Sequence, residues 1–298
     1  MKRRVSGFTL VEFVMVIVIT SILSSIIFRM LILPIHAFDD MARRSELVSL
    51  AESALLQMSR DLKSAVPNSV RIAQQGGIYS VELLRVTASG RYRYAADAFN
   101  KDNLNKGALY NDGLNNNKGV LSPGSLDSAF NILTSVGSIG SDSRIVINSK
   151  NTEALYAAAE SGLGGIITPL STVLTVNLKK GISEEKNIQL SRAFQFDRDG
   201  QGSPRKWFYV SDTAITYRCD LSTGKILRYV NYPVTSLHSL SVPKNAESNI
   251  VVNSVSHCDF SYNEGATSVV GLVTLLLTLS DDKERISVVR QVPIHNET

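Results

Sequence analysis

Few side chains in this 298-residue chain stand where they could do chemistry. The only cysteines, Cys219 and Cys258, come late in the chain, each in a segment that reads as a strand, without the CxxC spacing of a redox or zinc site. A disulfide is the favoured reading; two buried thiols, or a metal site drawing on His238 or His257, are the alternatives. Asp197-Arg198-Asp199-Gly200-Gln201-Gly202 resembles the first half of a calcium loop, which makes Asp197 and Asp199 calcium candidates. Calcium takes six to eight oxygens, and no closing bidentate glutamate follows. A polar hairpin turn before Ser203-Pro204 accounts for the same residues equally well. The four histidines fall in no H-E-x-x-H pattern, and neither G-x-S-x-G nor a P-loop occurs. The expectation is therefore a protein without enzymatic activity or resident cofactor.

Glu12 is the remaining oddity. It stands five residues after Gly7, inside Phe8 to Leu33, a run of 26 residues whose only charges are Glu12 and Arg29. As a helix that run is roughly 39 Å long, enough to cross a bilayer. A carboxylate there costs a few kcal/mol in hydrocarbon. A secretory signal places its small-residue cleavage site after the apolar core; here the small residue precedes it. Cleavage after Gly7 would remove Lys2, Arg3 and Arg4 and keep the apolar helix. The same basic leader predicts a cytoplasmic N-terminus and a translocated remainder. Without it, 28 basic residues face 27 acidic ones, so the net charge of +4 is no argument for nucleic acid.

Gly7-Phe8-Thr9-Leu10-Val11-Glu12 resembles the prepilin motif of type IV pilins and type II secretion pseudopilins. The resemblance implies cleavage after Gly7 by a prepilin peptidase, N-methylation of Phe8, and pairing of the Glu12 carboxylate with the N-terminal amine of a neighbouring subunit. It also implies residence in the bacterial inner membrane, with the head periplasmic and later on the pilus or cell surface. The partners it implies are an assembly platform, the major pilin and other minor pilins. Met58-Ser59-Arg60-Asp61-Leu62 with Ala65 to Val70, Trp207 to Asp212 with Tyr217-Arg218-Cys219, and Val292 to Asn296 are similar to minor pilins of the mannose-sensitive haemagglutinin system. That group is related to J-type pseudopilins and W-type minor pilins, which form tip or priming complexes. Two other roles stay open at this point, a J-type pseudopilin and a tip adhesin.

The elements that would carry these residues follow from periodicity. Pro34 should kink the helix without necessarily ending it. From Asp39 to Val66, Leu47, Leu50, Ala51, Ala54, Leu55, Met58, Leu62 and Ala65 recur at spacings of three and four, an apolar stripe that needs a sheet to cover it. Pro67-Asn68 supplies the stop. Beyond it, short β-type runs are expected at 78–87, 144–148, 172–178, 191–196, 206–211, 214–219, 226–232, 257–262, 269–280 and 286–292. Residues 99–124 read as a long Asn- and Gly-rich loop, exposed and a candidate contact surface. Ser161 to Gly165 reads as a turn. The predicted class is α+β: leader 1–7, membrane and assembly helix 8–33, amphipathic continuation 34–67, and a β-rich head 68–298, the ladle shape of a pilin.

Overall fold

The computed structural model describes residues 7, 9–94, 119–133, 136, 139–140, 142–170, 174–178, 186–198, 200–236, 238, 240–264, 270–281 and 284–296. Its first element, α1 (Leu10–Lys63), is a single helix of 54 residues, roughly 81 Å long. Thr9 caps it, its hydroxyl accepting the Glu12 N–H at 3.3 Å. The helix runs unbroken through Pro34. It ends where the Ser64 N–H turns back to the Arg60 and Asp61 carbonyls, and Asn68 follows in the left-handed region at φ 57°.

The two halves of α1 differ in what covers them. Leu10–Met30 is apolar enough to cross a membrane and none of it is buried by the rest of the chain. Further along, Leu47, Ala51, Ala54, Leu55, Met58 and Leu62 form the buried stripe, and all belong to the main core. Leu50 departs from the expected stripe: it is 45% exposed, because its place in the helical turn lies off the arc that faces the sheets.

Among the described residues three antiparallel sheets make the head, so the α+β class holds. Strands β1 (Arg71–Gln75), β2 (Ile78–Arg91), β7 (Trp207–Asp220), β8 (Lys225–Val230) and β9 (Glu247–Val252) lie in that order, with β4 (Arg144–Val146) also paired to β7. A second sheet is β10 (Val255–Asn263), β11 (Val270–Ser280) and β12 (Arg285–His295). Both contribute to one face against α1, with Leu83 and Ile215 from the first and Leu275, Leu277 and Val292 from the second. The third sheet, β3 (Leu126–Ile132), β6 (Lys186–Gln195) and β5 (Leu174–Leu178), packs Phe130 and Ile188 against Phe208 and Val210 of β7.

Several elements correct the sequence reading. The runs at 206–211 and 214–219 are one strand, β7, whose register against β2 shifts so that Leu84 faces Ala214 but Val86 faces Ser211. The polar pair Asp212-Thr213 marks a bulge in β7, not a loop between strands. Strands β1, β3 and β9 were not anticipated, nor was helix α2 (Thr152–Ser161), which is capped by the Asn151 side chain on the Ala154 N–H and ended by left-handed Gly162.

A charge cluster fixes the end of α1 to the sheet. Asp61 accepts the Tyr217 hydroxyl at 2.6 Å and Arg228 Nε at 2.7 Å. Tyr217 is pushed well above the usual phenol range by burial and then by Asp61. Asp61→Ala would leave a guanidinium and a buried hydroxyl without their acceptor. Since the ion pair keeps some water contact, the expected loss is about 2 kcal/mol, below the 3–5 typical of a fully buried pair. Urea unfolding of the full chain in detergent, followed by the fluorescence of Trp207, measures it. Equal midpoints in wild type and variant would refute the anchoring role.

Candidate assembly interface

Gly7 and Glu12 flank the first turn of α1. Gly7 is exposed, and among the described residues nothing lies within 4 Å of where a Cβ on it would sit. Phe8, Lys2, Arg3 and Arg4 lie outside the described residues. Thr9-Leu10-Val11-Glu12 has the T-x-x-E spacing of a capping box. Only one half of the box forms. The Thr9 hydroxyl takes the Glu12 N–H, whereas no group among the described residues bonds to the Glu12 carboxylate. Its place in the first helical turn suits a negative charge, and its oxygens are left for another molecule. Thr9 is a residue the sequence reading passed over, although its spacing to Glu12 was the signal.

The apolar length that follows is consistent with a lipid or protein environment on all sides. Two of its four hydroxyls turn back onto the helix, Thr20 Oγ1 donating to Val16 O at 2.8 Å and Ser21 Oγ to Ile17 O at 2.7 Å. Leu10, Phe13, Phe28 and Met30 are all exposed. One acid and one arginine thus interrupt a surface that otherwise carries no charge, at Glu12 and Arg29.

Cys219 of β7 and Cys258 of β10 form a disulfide with both residues buried. It joins the first sheet to the second directly beneath the α1 stripe, within the same core.

Asp197 sits far from α1 and is 6% exposed. Its Oδ2 accepts Asn148 Nδ2 at 2.9 Å and the Gly202 N–H at 2.5 Å, and its Oδ1 is 3.9 Å from the Lys150 ammonium. The backbone is in the left-handed region, with its N–H on Gly165 O at 2.7 Å. A Cβ on Gly165 would come within 2.8 Å of the Gln195 carbonyl, so the glycine is required there. Gly124 approaches the Cα of Gly200 from the other side. Three stretches that the sequence marks as separate loops, at 119–124, 162–165 and 197–202, therefore meet at one junction held by Asp197. Asp199 lies outside the described residues, as do 99–118 of the Asn-rich stretch. Among the described residues no three His, Cys, Asp or Glu side chains gather as metal ligands do.

A polar cluster in the head surrounds Glu82, which is 3% exposed. Arg71 donates to it through Nε at 2.8 Å and stacks on the Tyr156 ring 3.5 Å from its centroid; Tyr232 donates its hydroxyl at 2.9 Å. Arg71 also holds the Thr235 and Ser236 carbonyls, tying the segment after β8 to β1. His238 completes the group, with Nε2 3.0 Å from the Ser80 hydroxyl and 3.6 Å from Glu82. Burial, and after it the Arg71 charge, push His238 down from 6.5 to about 4. Glu82 opposes this, but Arg71 and Tyr232 already claim its charge.

His238 is neutral in the folded protein and charges first in the unfolded chain. Its contribution to stability is complete above pH 6.5 and falls away as the pH drops toward 4. The expected loss is on the order of 2–3 kcal/mol across that window. Unfolding midpoints at pH 7.5 and 4.5 should differ less in His238→Gln than in wild type. An identical difference in both would assign the pH dependence elsewhere.

Residues 2–28 match the family described as the prokaryotic N-terminal methylation motif. No curated protein and no solved structure matches the chain. The match covers Gly7, Phe8 and Glu12 together and runs through most of the exposed apolar part of α1. It supports a type IV pilin-like protein, anchored in a membrane and processed by a prepilin peptidase.

Proposed function

We propose that this pilin-like chain is a minor pilin that helps to initiate or cap a type IV pilus, in a tip or priming complex with other minor pilins. Within that reading it is the O-type subunit of a mannose-sensitive haemagglutinin pilus. The observation that carries the proposal is a single 54-residue helix, bare along its apolar half and bearing a Glu12 carboxylate that no described residue pairs, joined to a head whose described strands form three sheets. A bare apolar helix has two stable settings, the lipid core and the packed centre of a fibre. A head this large is accommodated most readily at a fibre end, where there is no next subunit to crowd it. The protein then acts by position, without catalysis or a cofactor, its N-terminus cytoplasmic and its head periplasmic before assembly.

Pilus counting by electron microscopy in a deletion strain tests the proposal. Loss of nearly all pili, restored by the wild-type gene, is the expected result. Normal pili with lost attachment would instead make the protein a tip adhesin. Intact pili with a failure to secrete hydrolases would make it a J-type pseudopilin.

A further inference from the structure

Arg144, at the start of β4, is 6% exposed, and among the described residues its guanidinium makes a single hydrogen bond, Nη1 to the Ala159 carbonyl of α2 at 2.8 Å. A guanidinium carries five N–H donors and a charge that persists at any ordinary pH. One neutral acceptor leaves most of that capacity unused, in a setting where an uncompensated charge is unfavourable. Burial alone pushes Arg144 down to about 10, and no acid beside it acts in the other direction.

The side chain lines a cavity of about 30 Å³. Arg144 and Ser211 are directly paired across β4 and β7, so both project on the same face of the sheet. Ser211 is 3% exposed, and its hydroxyl bonds to nothing else among the described residues. The other polar groups on the cavity wall are already engaged. Asp212 is gripped by Arg85 through both oxygens, the Thr213 hydroxyl lies between Ala214 O and the Asn231 N–H, and the Tyr232 hydroxyl joins Thr216 to Glu82. What remains is a cation and a hydroxyl donor side by side, against apolar walls that include Leu84 and Ile167.

We propose that this cavity is a binding site for a small carboxylate, held by Arg144 with the Ser211 hydroxyl as the second donor. The planar fork of a guanidinium matches a planar carboxylate. The cavity of about 30 Å³ exceeds the roughly 10–15 Å³ that a single water requires, which leaves room for a small group beside the guanidinium. Half-exposed Leu170 is part of the same wall and offers the methyl end of such an acid an apolar contact.

The test is thermal unfolding of the full chain in detergent, followed through Trp207, in sodium acetate, chloride and sulfate at one ionic strength and pH 7.5. Acetate at tens of millimolar is expected to raise the midpoint by about 2–4 °C over chloride, with sulfate no better than chloride. Arg144→Gln should lose that shift. Because a buried arginine also supports the fold, Ser211→Leu is the second variant: it fills the cavity from β7, keeps the guanidinium, and should likewise lose the shift. The proposal is overturned if acetate and chloride give the same wild-type midpoint, if sulfate matches acetate, or if Ser211→Leu keeps the full acetate response.

Discussion

Glu12→Val is expected to leave the protein in the membrane while nearly abolishing its incorporation into pili. The substitution removes a charge from an apolar helix, which favours the lipid-embedded state by a few kcal/mol. In the fibre its effect runs the other way. Among the described residues the Glu12 carboxylate has no partner, and only its backbone N–H is used, by Thr9. A neighbour's N-terminal amine is the partner that the proposed function supplies. Removing one member of an ion pair in a low-dielectric core costs about 3–5 kcal/mol, so the equilibrium for incorporation should fall more than a hundredfold. Glu12→Gln, which keeps the shape and loses the charge, should fail in the same way. The readout is the piliated fraction of cells by electron microscopy, beside the amount of subunit in the membrane fraction. Normal piliation with either variant present would remove the carboxylate from assembly.

How far the sequence reveals the molecule depends on whether a residue's role is set by its neighbours along the chain. The apolar half of α1 and the stripe from Leu47 to Leu62 are legible because helical periodicity repeats one signal over many turns. Leu50 is misread, since spacing alone sets the width of a buried arc only to within a residue. Helix α2 is short and rich in alanine; of its two signals, Gly162 as terminator reads only as part of a turn and Asn151 as N-cap goes unread. Strand β9 is mostly exposed at a sheet edge, which removes the alternation that marks a half-buried strand.

The polar clusters are illegible for a different reason. Glu82 within Ile78 to Arg91 looks like an outward-facing acid on a strand. Its burial makes sense only with Arg71, Tyr232 and His238 around it, and the last two lie about 150 residues away. Asp61 finds Arg228 across 167 positions. Arg144 and Ser211 become neighbours only through the pairing of β4 with β7. Long-range pairing of single charges leaves no period in the sequence, so patterning methods are blind to it.

Cys219→Ala with Cys258→Ala carries the largest expected loss of stability in the head. The bond closes a loop whose ends are 39 positions apart, for which chain-entropy reasoning gives about 4 kcal/mol. Measured losses commonly run lower, so about 2–4 kcal/mol is the range to expect. Against a total of about 5–15 kcal/mol for a folded domain this is a large share. For a head of this size the midpoint should drop by roughly 4–16 °C. The bond also spans the two sheets that together cover α1, so its loss should loosen the seat of the helix as well as lower the global midpoint. Hydrogen exchange can separate the two effects, because amides of α1 between Leu47 and Leu62 should exchange faster in the double variant. Both cysteines are buried, so their state must be read in denaturant: exported protein unfolded without reductant should take up no alkylating reagent, and after reduction should take up two per chain. Alkylation of both thiols before reduction would remove the disulfide from the exported protein. It would also remove the reason to place the head in an oxidising compartment on the strength of its cysteines.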